Sequence, residues 1–415
     1  MPLQKIQFAP GVNKEGTEYT ADSGWFDSDK IRFRKGRPEK IGGWTKYTEG
    51  SFLGVCRSIY AWASLAVVKY IGMGTNLKFY VVEGVKANDI TPLRVTTSAG
   101  DVTFSASNGS STVTVTDTSN GAAKNDFVTF SDAASLGGTI TAAVLNQEYQ
   151  IAALSSANVY TIVAKDTSGD TVTANASDSG NGGSAVVGAY EINTGLNTYV
   201  SAVGWGASPW GNGTFGSSAA LAVSEQLRLY SQDNFGEDLV FNVRNGGIYY
   251  WDQSSGLSTR GVNITSLGGA SDCPTAAAQV LVSDNDQHII AFGANTLGSA
   301  TQDPLLVRWS DQESAADWTP TATNTSGGVR VNSGSFIVGA VQTRQEILIW
   351  TDTSLNSMRF VGAPFVFQFT TLSADVSMIS PNAAVNARGN VFFMDKTGFY
   401  VYNGAVQQLP CSVQD

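Results

Sequence analysis

Residues 391–404, VFFMDKTGFYVYNG, contain the unit from which most of the chain is built. An apolar segment is followed by a polar turn and then by a second segment rich in aromatic side chains. Residues 71–81, 239–251 and 347–362 repeat this arrangement, and a longer-looped version occupies residues 279–310. Repetition at roughly 40–60 residues is typical of a β-propeller, in which each unit forms one blade. The sequence therefore predicts a propeller-like body with about five such units.

The composition also favours an all-β protein. The chain has 415 residues with 44 glycines, 20 phenylalanines and 14 tyrosines, and only 14% of its residues are charged. β-branched and aromatic residues suit a pleated sheet, whereas the helix-forming Glu, Lys and Arg are scarce here. The predicted fold class is all-β: a β-propeller-like body with an inserted small β-sandwich or barrel domain.

The insertion is predicted from a change in composition at about residue 95. Residues 95–204 contain no tryptophan and no arginine, and two lysines stand against nine acidic residues, which accounts for most of the net charge of −10. Short strand signals separated by Gly, Asn, Ser and Asp turns indicate a small antiparallel sandwich or barrel. These signals lie at residues 102–105, 111–115, 127–130, 148–151, 159–164 and 171–174. The predicted domains are residues 1–94 (an N-terminal arm and the first blades), 95–204 (the acidic insertion) and 205–415 (the remaining blades).

The N-terminal arm contains the densest basic cluster of this acidic chain. It spans residues 11–44, GVNKEGTEYTADSGWFDSDKIRFRKGRPEKIGGW. Alternation between residues 29 and 34 predicts a strand with Lys30, Arg32 and Arg34 on one face and Ile31 and Phe33 on the other. The Gly and Pro of residues 35–38 predict a turn.

The arm also resembles a known family. FAPGVN at residues 8–13, followed by the run from Gly24 to Trp44, resembles the tail nozzle or packaged-DNA stabilisation proteins of short-tailed bacteriophages. RWSD at residues 308–311 with DWTP at residues 317–320 is similar to a later motif of that family. The resemblance implies a propeller-like body, a ring of six copies at the end of the tail and no catalysis.

This resemblance suggests a mechanical function. The ring would lie below the portal and adaptor proteins, close the channel on packaged DNA and open for ejection, and the insertion would meet a tail fibre or another tail protein. DNA would pass without sequence-specific binding, because a negative wall repels phosphate, and the net charge argues against a general nucleic-acid binder. The expected location is the virion tail, assembled in the host cytoplasm.

The basic cluster allows two interpretations. It is either a solvated strand face paired with acidic residues or a subunit interface, since Arg and Trp are prominent in interfaces. The resemblance favours the second interpretation. The predicted interface residues are Trp25, Lys30, Arg32, Arg34, Arg37 and Trp44.

The sequence predicts no catalytic, cofactor or metal residue. The single histidine, His288, precedes a strand and suits a structural role. Asp284-Asn285-Asp286 lacks the glycine and the bidentate glutamate of a calcium loop, so a polar turn is predicted. Asp311, Glu313 and Asp317 could supply paired carboxylates for glycoside cleavage, but Asp311 and Asp317 are expected to make turn and cap hydrogen bonds beside Trp309 and Trp318.

The sequence also bears on the compartment. The three cysteines, Cys56, Cys273 and Cys411, lack metal-ligand spacing and favour a reducing compartment. The first residues lack the apolar region of a signal peptide, and no run approaches the roughly 20 apolar residues of a membrane helix. A soluble protein released by cell lysis is expected. After the last hairpin the chain ends abruptly, so a closing strand is expected either from the arm or from sequence beyond residue 415.

Two other functions stay open at this point. A propeller that binds host-surface glycans would use exposed aromatic side chains such as Trp205 and Trp210 as sugar platforms. A propeller glycosidase would need a central cluster of acids with Arg and Tyr, and the sequence gives no sign of one.

Overall fold

The computed structural model describes residues 9–14, 19, 24–178, 180–195 and 227–410. In this part of the chain there are thirty strands and one short α-helix, arranged in seven four-stranded antiparallel sheets and one two-stranded hairpin. The fold is an all-β, propeller-like body with an inserted sandwich, which confirms the predicted fold class. No helix in the described ranges has the length and apolar character needed to cross a bilayer.

The arm forms the two-stranded hairpin of β1 (Ile31–Arg34) and β2 (Arg37–Lys40). Lys35 and Gly36 have φ of 49° and 75°, as the two central residues of a tight hairpin turn require. The turn predicted at residues 35–38 was too long, because Arg37 and Pro38 already pair with Arg34 and Phe33. A proline is tolerated there because the strand lies at a sheet edge.

The first blade follows the arm. Its four strands, which are consecutive in sequence and in space, are β3 (Cys56–Ala63), β4 (Lys69–Thr75), β5 (Phe79–Glu83) and β6 (Lys86–Asp89). Along β5 the side chains alternate between two apolar layers. Phe79 and Val81 enter the core shared with the second blade, whereas Tyr80 and Val82 lie in a separate cluster on the other face.

The inserted unit comes next and is a β-sandwich. Its elements are β7 (Leu93–Thr96), β8 (Thr103–Ala106), β9 (Thr112–Thr116), β10 (Phe127–Ser131), α1 (Ala142–Leu145), β11 (Glu148–Gln150), β12 (Ala153–Ser156), β13 (Val159–Val163) and β14 (Val187–Glu191). One sheet has the order β11-β10-β14-β7 and the other β12-β13-β9-β8. The strand predicted at residues 171–174 is wrong: Thr171 makes only an isolated bridge with Lys165.

The sandwich has its own core between the two sheets. Phe104 of one sheet packs edge-on against Phe130 of the other, with their ring centres 4.9 Å apart. The buried hydroxyl groups of Tyr160 and Tyr190 lie 2.6 Å apart, and Tyr190 donates to Asp117 at 2.6 Å. These bonds satisfy polar groups that burial would otherwise penalise.

Four further blades complete the described body. The second blade contains β15 (Tyr230–Phe235), β16 (Asp238–Val243), β17 (Ile248–Trp251) and β18 (Val262–Asn263), and the third contains β19 (Gln279–Val282), β20 (Ile289–Phe292), β21 (Leu306–Trp309) and β22 (Gly327–Arg330). The fourth blade contains β23 (Ile337–Gln342), β24 (Ile347–Thr351), β25 (Leu355–Gly362) and β26 (Val366–Ser373). The fifth blade contains β27 (Ala384–Ala387), β28 (Asn390–Asp395), β29 (Gly398–Tyr402) and β30 (Val406–Leu409). The repeated hairpins of the sequence are the second and third strands of the first, second, fourth and fifth blades.

Each blade packs on the next through apolar side chains that point alternately to its two faces. Phe79 of the first blade stacks on Phe241 of the second, with ring centres 4.0 Å apart. Trp350 of the fourth blade contacts Phe393 of the fifth, with ring centres 5.2 Å apart. Full burial of a large side chain contributes roughly 1.5–3 kcal/mol. The first strands of consecutive blades also contact one another, which places them around the central axis.

Candidate subunit interface

The arm hairpin carries charged side chains, and most of its residues are exposed to solvent. Every residue from 34 to 47 is exposed. Arg32 lies 3.3 Å from Glu39 on the opposite strand, whereas Arg34 stands directly opposite Arg37. Like charges in opposite positions destabilise a strand pair. The tip of the hairpin is therefore suited to an acidic surface that would compensate the two arginines.

Lys30 does not share the strand face predicted for it. Its φ is 56°, and β1 begins only at Ile31, so the predicted alternation is wrong at this residue. Lys30 instead closes the open end of the hairpin, where its carbonyl oxygen accepts the backbone N–H of Ile41 at 2.8 Å. Its ammonium lies 3.6 Å from Asp29, and both side chains are solvated.

Trp25 and Trp44 have different surroundings. Trp25 is half-buried against Phe33, with ring centres 6.2 Å apart, and its carbonyl oxygen accepts the N–H of Asn13. Trp44 is 93% exposed. The structure thus brings Trp25, Arg32, Arg34 and Arg37 to one hairpin and leaves Trp44 beyond it as a large apolar side chain in water.

Residues 49–55 connect the arm to the first blade and cover its outer face. Phe52 packs against Met73, Tyr80 and Val82, and the N–H of Leu53 donates to the Tyr80 hydroxyl at 3.0 Å. Gly54 has a φ of 90°, and a Cβ there would lie 2.7 Å from the Thr75 hydroxyl oxygen. No other residue type fits this close approach without strain.

The outer face of the fifth blade is a second exposed surface. Phe392, Phe399 and Val385 are 38%, 42% and 59% exposed, although the alternate residues Val391 and Phe393 are buried against the fourth blade. In the described residues, an apolar core joins each pair of consecutive blades, but none joins the fifth blade to the first. Sequence analysis missed this surface, although the continuous apolar run in β28 indicates a strand with two buried faces.

A buried ionic cluster joins the insertion to the propeller. The Lys78 ammonium, only 1% exposed, lies 3.0 Å from Asp89, 2.6 Å from Glu148 and 2.7 Å from Glu191. Arg260 of the second blade is 2.6 Å from Glu191. The three carboxylates have the spacing of a metal site, but the lysine ammonium already occupies the position between them. Sequence analysis missed the cluster; its signal was one lysine between the apolar Leu77 and Phe79.

Burial controls the protonation of this cluster. Burial raises the pKa of Glu191 to about 7, and the nearby Asp89 and Glu148 add to the rise, while Lys78 opposes it. For Lys78, burial alone would lower the pKa, but the three carboxylates outweigh it and raise the pKa. The second oxygen of Glu191, Oε2, is buried without a hydrogen bond in the described structure, which agrees with a destabilised charged form.

His288 and the second family-like motif are structural. His288 is fully buried, with Nε2 3.0 Å from the Thr325 hydroxyl oxygen and Nδ1 3.3 Å from Asp286. No substrate could reach it. Asp311 accepts bonds from the N–H and hydroxyl of Thr325, as predicted for a turn.

Asp317 and Arg308 hold the same region together. Asp317 accepts bonds from Ser271 at 2.6 Å and Asn324 at 3.0 Å, which lower its pKa. Arg308 pairs with Asp272 at 2.9 Å beneath the buried Trp318. The glycan-platform residues of the alternative function, Trp205 and Trp210, lie outside the described residues.

Comparison with known proteins does not assign a family. No family model and no curated protein matches the chain. An endosialidase of phage phi92 is similar over 81% of this chain and 52% of its own, with 11% identity and a TM-score of 0.25. BBS1N, solved in complex with ARL6DN, is similar over 88% and 84%, with 8% identity and a TM-score of 0.30. The chain spans about half of the endosialidase, and likenesses this weak carry no argument about function.

Proposed function

We propose that the chain is a structural subunit of a short phage tail: a nozzle in which copies form a ring below the portal and adaptor, retain packaged DNA and open for ejection. The observation that carries the proposal is the complete exposure of residues 34–47, within the run that resembles the nozzle family. An isolated two-stranded hairpin is only marginally stable in water. A partner surface would supply the packing that this hairpin lacks within its own chain.

The exposed face of the fifth blade supports the same proposal. Within the chain, each such face is covered by the next blade, so the natural cover for Phe392 and Phe399 is the surface of a neighbouring subunit. A contact of one surface with a different surface on the next copy generates a closed ring when the rotation permits. The ring would contain six copies, as the family resemblance implies.

The experiment is a measurement of particle mass for the full-length protein, alone and mixed with the portal–adaptor complex. We expect a monomer, or an incomplete assembly, that becomes a ring of defined copy number on the complex. The double variant Arg34→Glu/Arg37→Glu should fail to assemble. Its matched control is Lys124→Glu/Lys165→Glu, which makes the same change in net charge at exposed positions of the insertion.

The outcomes separate the interpretations. Assembly of the control but not of the hairpin variant would support the proposed interface. Wild-type protein that stays monomeric on the complex would refute the nozzle function, and glycan binding by the monomer would then be measured. If both variants assemble equally well, the proposed ring stands but the hairpin is not part of its interface.

A further inference from the structure

A cavity of about 330 Å³ lies at the centre of the propeller, beside the first strands of the first three blades. Its polar lining includes Arg57 and Ser58 of β3, Gln232 of β15, Arg244 after β16, Gln279 of β19 and Asn382 before β27. Both charged residues of this lining are arginines. Among the described residues, the lining has two guanidinium groups and no acidic residue, in a chain with a net charge of −10.

Arg244 is the more informative of the two. Its guanidinium donates to the carbonyl oxygens of Ala278 at 3.3 Å and Val338 at 3.1 Å. Burial lowers the pKa of Arg244, and no carboxylate in the described part of the chain offsets the effect. By contrast, Arg308 has Asp272 at 2.9 Å and Arg359 has Glu346 at 3.0 Å. A partly buried cation without a counter-ion is unfavourable unless an anion is supplied from outside.

The nearest acid on the same strand is already engaged. Asp233, next to Gln232 in β15, accepts the backbone N–H of Val282 at 2.9 Å and the hydroxyl of Tyr60 at 2.7 Å. It is not part of the cavity lining. The positive charge of the cavity is therefore not cancelled by this carboxylate.

One backbone irregularity lies at Arg57, and another lies at a residue that binds Arg244. Arg57 lies where the register of β3 against β4 shifts, between Cys56 and Ser58. Val338, which accepts from Arg244, lies at a similar shift in β23. Bulges of this kind redirect side chains and are frequent beside functional sites.

We propose that this central cavity binds a small oxyanion, a carboxylate or phosphate, between Arg57 and Arg244. A guanidinium has five N–H donors in a planar fork that matches either group. The two described hydrogen bonds of Arg244 use two of its five N–H donors. The hydroxyl of Ser58 and the amide of Asn382 are further polar groups of the lining. The site is independent of the proposed ring, since it lies within one chain.

The test is calorimetric titration of the isolated full-length protein with citrate and, separately, with inorganic phosphate, at constant ionic strength against chloride. We expect saturable binding, with the tighter probe identifying the preferred group. Arg57→Gln and Arg244→Gln should each weaken binding about tenfold or more, as expected for a lost charge-assisted bond. Arg330→Gln, which removes a largely exposed arginine from the outer strand β22, should bind as the wild type does.

Three results would overturn the proposal: no binding of either probe, equal binding by wild type and both cavity variants, or loss of binding in the control. Arg244 also holds two backbone carbonyls, so its variant could fail to fold. In that case Arg57→Gln decides alone, together with crystals soaked in selenate. Anomalous density in the cavity supports the site, and density only elsewhere contradicts it.

Discussion

Lys78→Met tests whether the buried cluster holds the insertion on the propeller. The substitution keeps the length of the side chain and removes the charge that lies within 3.0 Å of three carboxylates. Removing one partner of a buried ion pair typically costs about 3–5 kcal/mol, because the other charge stays buried. Arg260 remains beside Glu191 and reduces the effect, so about 3 kcal/mol is expected.

The measurement is urea unfolding at pH 8, followed by tryptophan fluorescence. The core between the first and second blades contains Trp62 and Trp251 as well as Phe79, the neighbour of Lys78. The fluorescence change on unfolding of this core should therefore report the loss of unfolding free energy directly. The matched control is Lys14→Met, which breaks an exposed pair with Asp27. Exposed pairs contribute about 0–1 kcal/mol.

Two further results sharpen this prediction. The loss should be smaller at pH 6, where Glu191, with a pKa of about 7, takes up a proton and no longer needs a cation. Replacing Lys78 together with its most buried partner, in Lys78→Met/Glu191→Leu, should recover part of the stability, because the carboxylates that remain, Asp89 and Glu148, are about one third exposed and can be solvated. A Lys78→Met protein that is as stable as the Lys14→Met control at pH 8 would refute the reasoning.

Three other predictions follow from the described contacts. Because the pKa of Glu191 is raised from 4.5 to about 7 in the folded state, its protonated form stabilises the folded protein fully below pH 4.5, and this contribution is lost as the pH rises towards 7. Glu191→Gln should therefore flatten the fall in unfolding free energy between pH 5 and 7.5. Gly74→Ala should destabilise the protein by about 1–3 kcal/mol in thermal unfolding, because a Cβ there lies 2.4 Å from the ring of Tyr230. Phe392→Ser/Phe399→Ser should weaken ring assembly in sedimentation as well as lower the unfolding free energy of the monomer, in which each ring is already more than half buried, and a wild-type assembly profile would count against the fifth-blade interface.

The blades were predictable because their information is local. A hairpin such as residues 391–404 needs only an alternating strand, a turn and a second strand, all within 14 residues. The same locality explains the prediction for Asp311, which bonds to Thr325, and part of the prediction for Asp317, which bonds to Asn324 nearby but also to the distant Ser271. The errors also have local causes. Lys30 lies in a left-handed conformation that a charged–apolar alternation does not reveal. Residues 171–174 have strand-like composition but make only one bridge.

The functional candidates were less predictable because distant residues create them. Lys78 meets Glu148 and Glu191, 70 and 113 residues away, only when the sandwich docks on the first blade. Arg57 and Arg244 line one cavity only because the first strands of the blades surround a common axis. A sequence shows that a lysine or an arginine is available, but the choice between a solvated and a buried site depends on these long-range contacts.

The covering of the first blade explains why the fifth blade has an exposed face. The alternation of side chains places Phe392 and Phe399 on the face that, in the other blades, packs on the next blade. The face of the first blade that the fifth blade would have to meet contains Met73, Tyr80 and Val82. This face is already packed against Phe52 of the connecting segment, residues 49–55. Packing of the fifth blade on the first, in the manner of the other blades, would have to displace that segment. The same segment leads back to the exposed hairpin, so one short stretch both covers the first blade and presents the arm. Removing Phe52 should therefore expose Met73 and Tyr80 without covering Phe392.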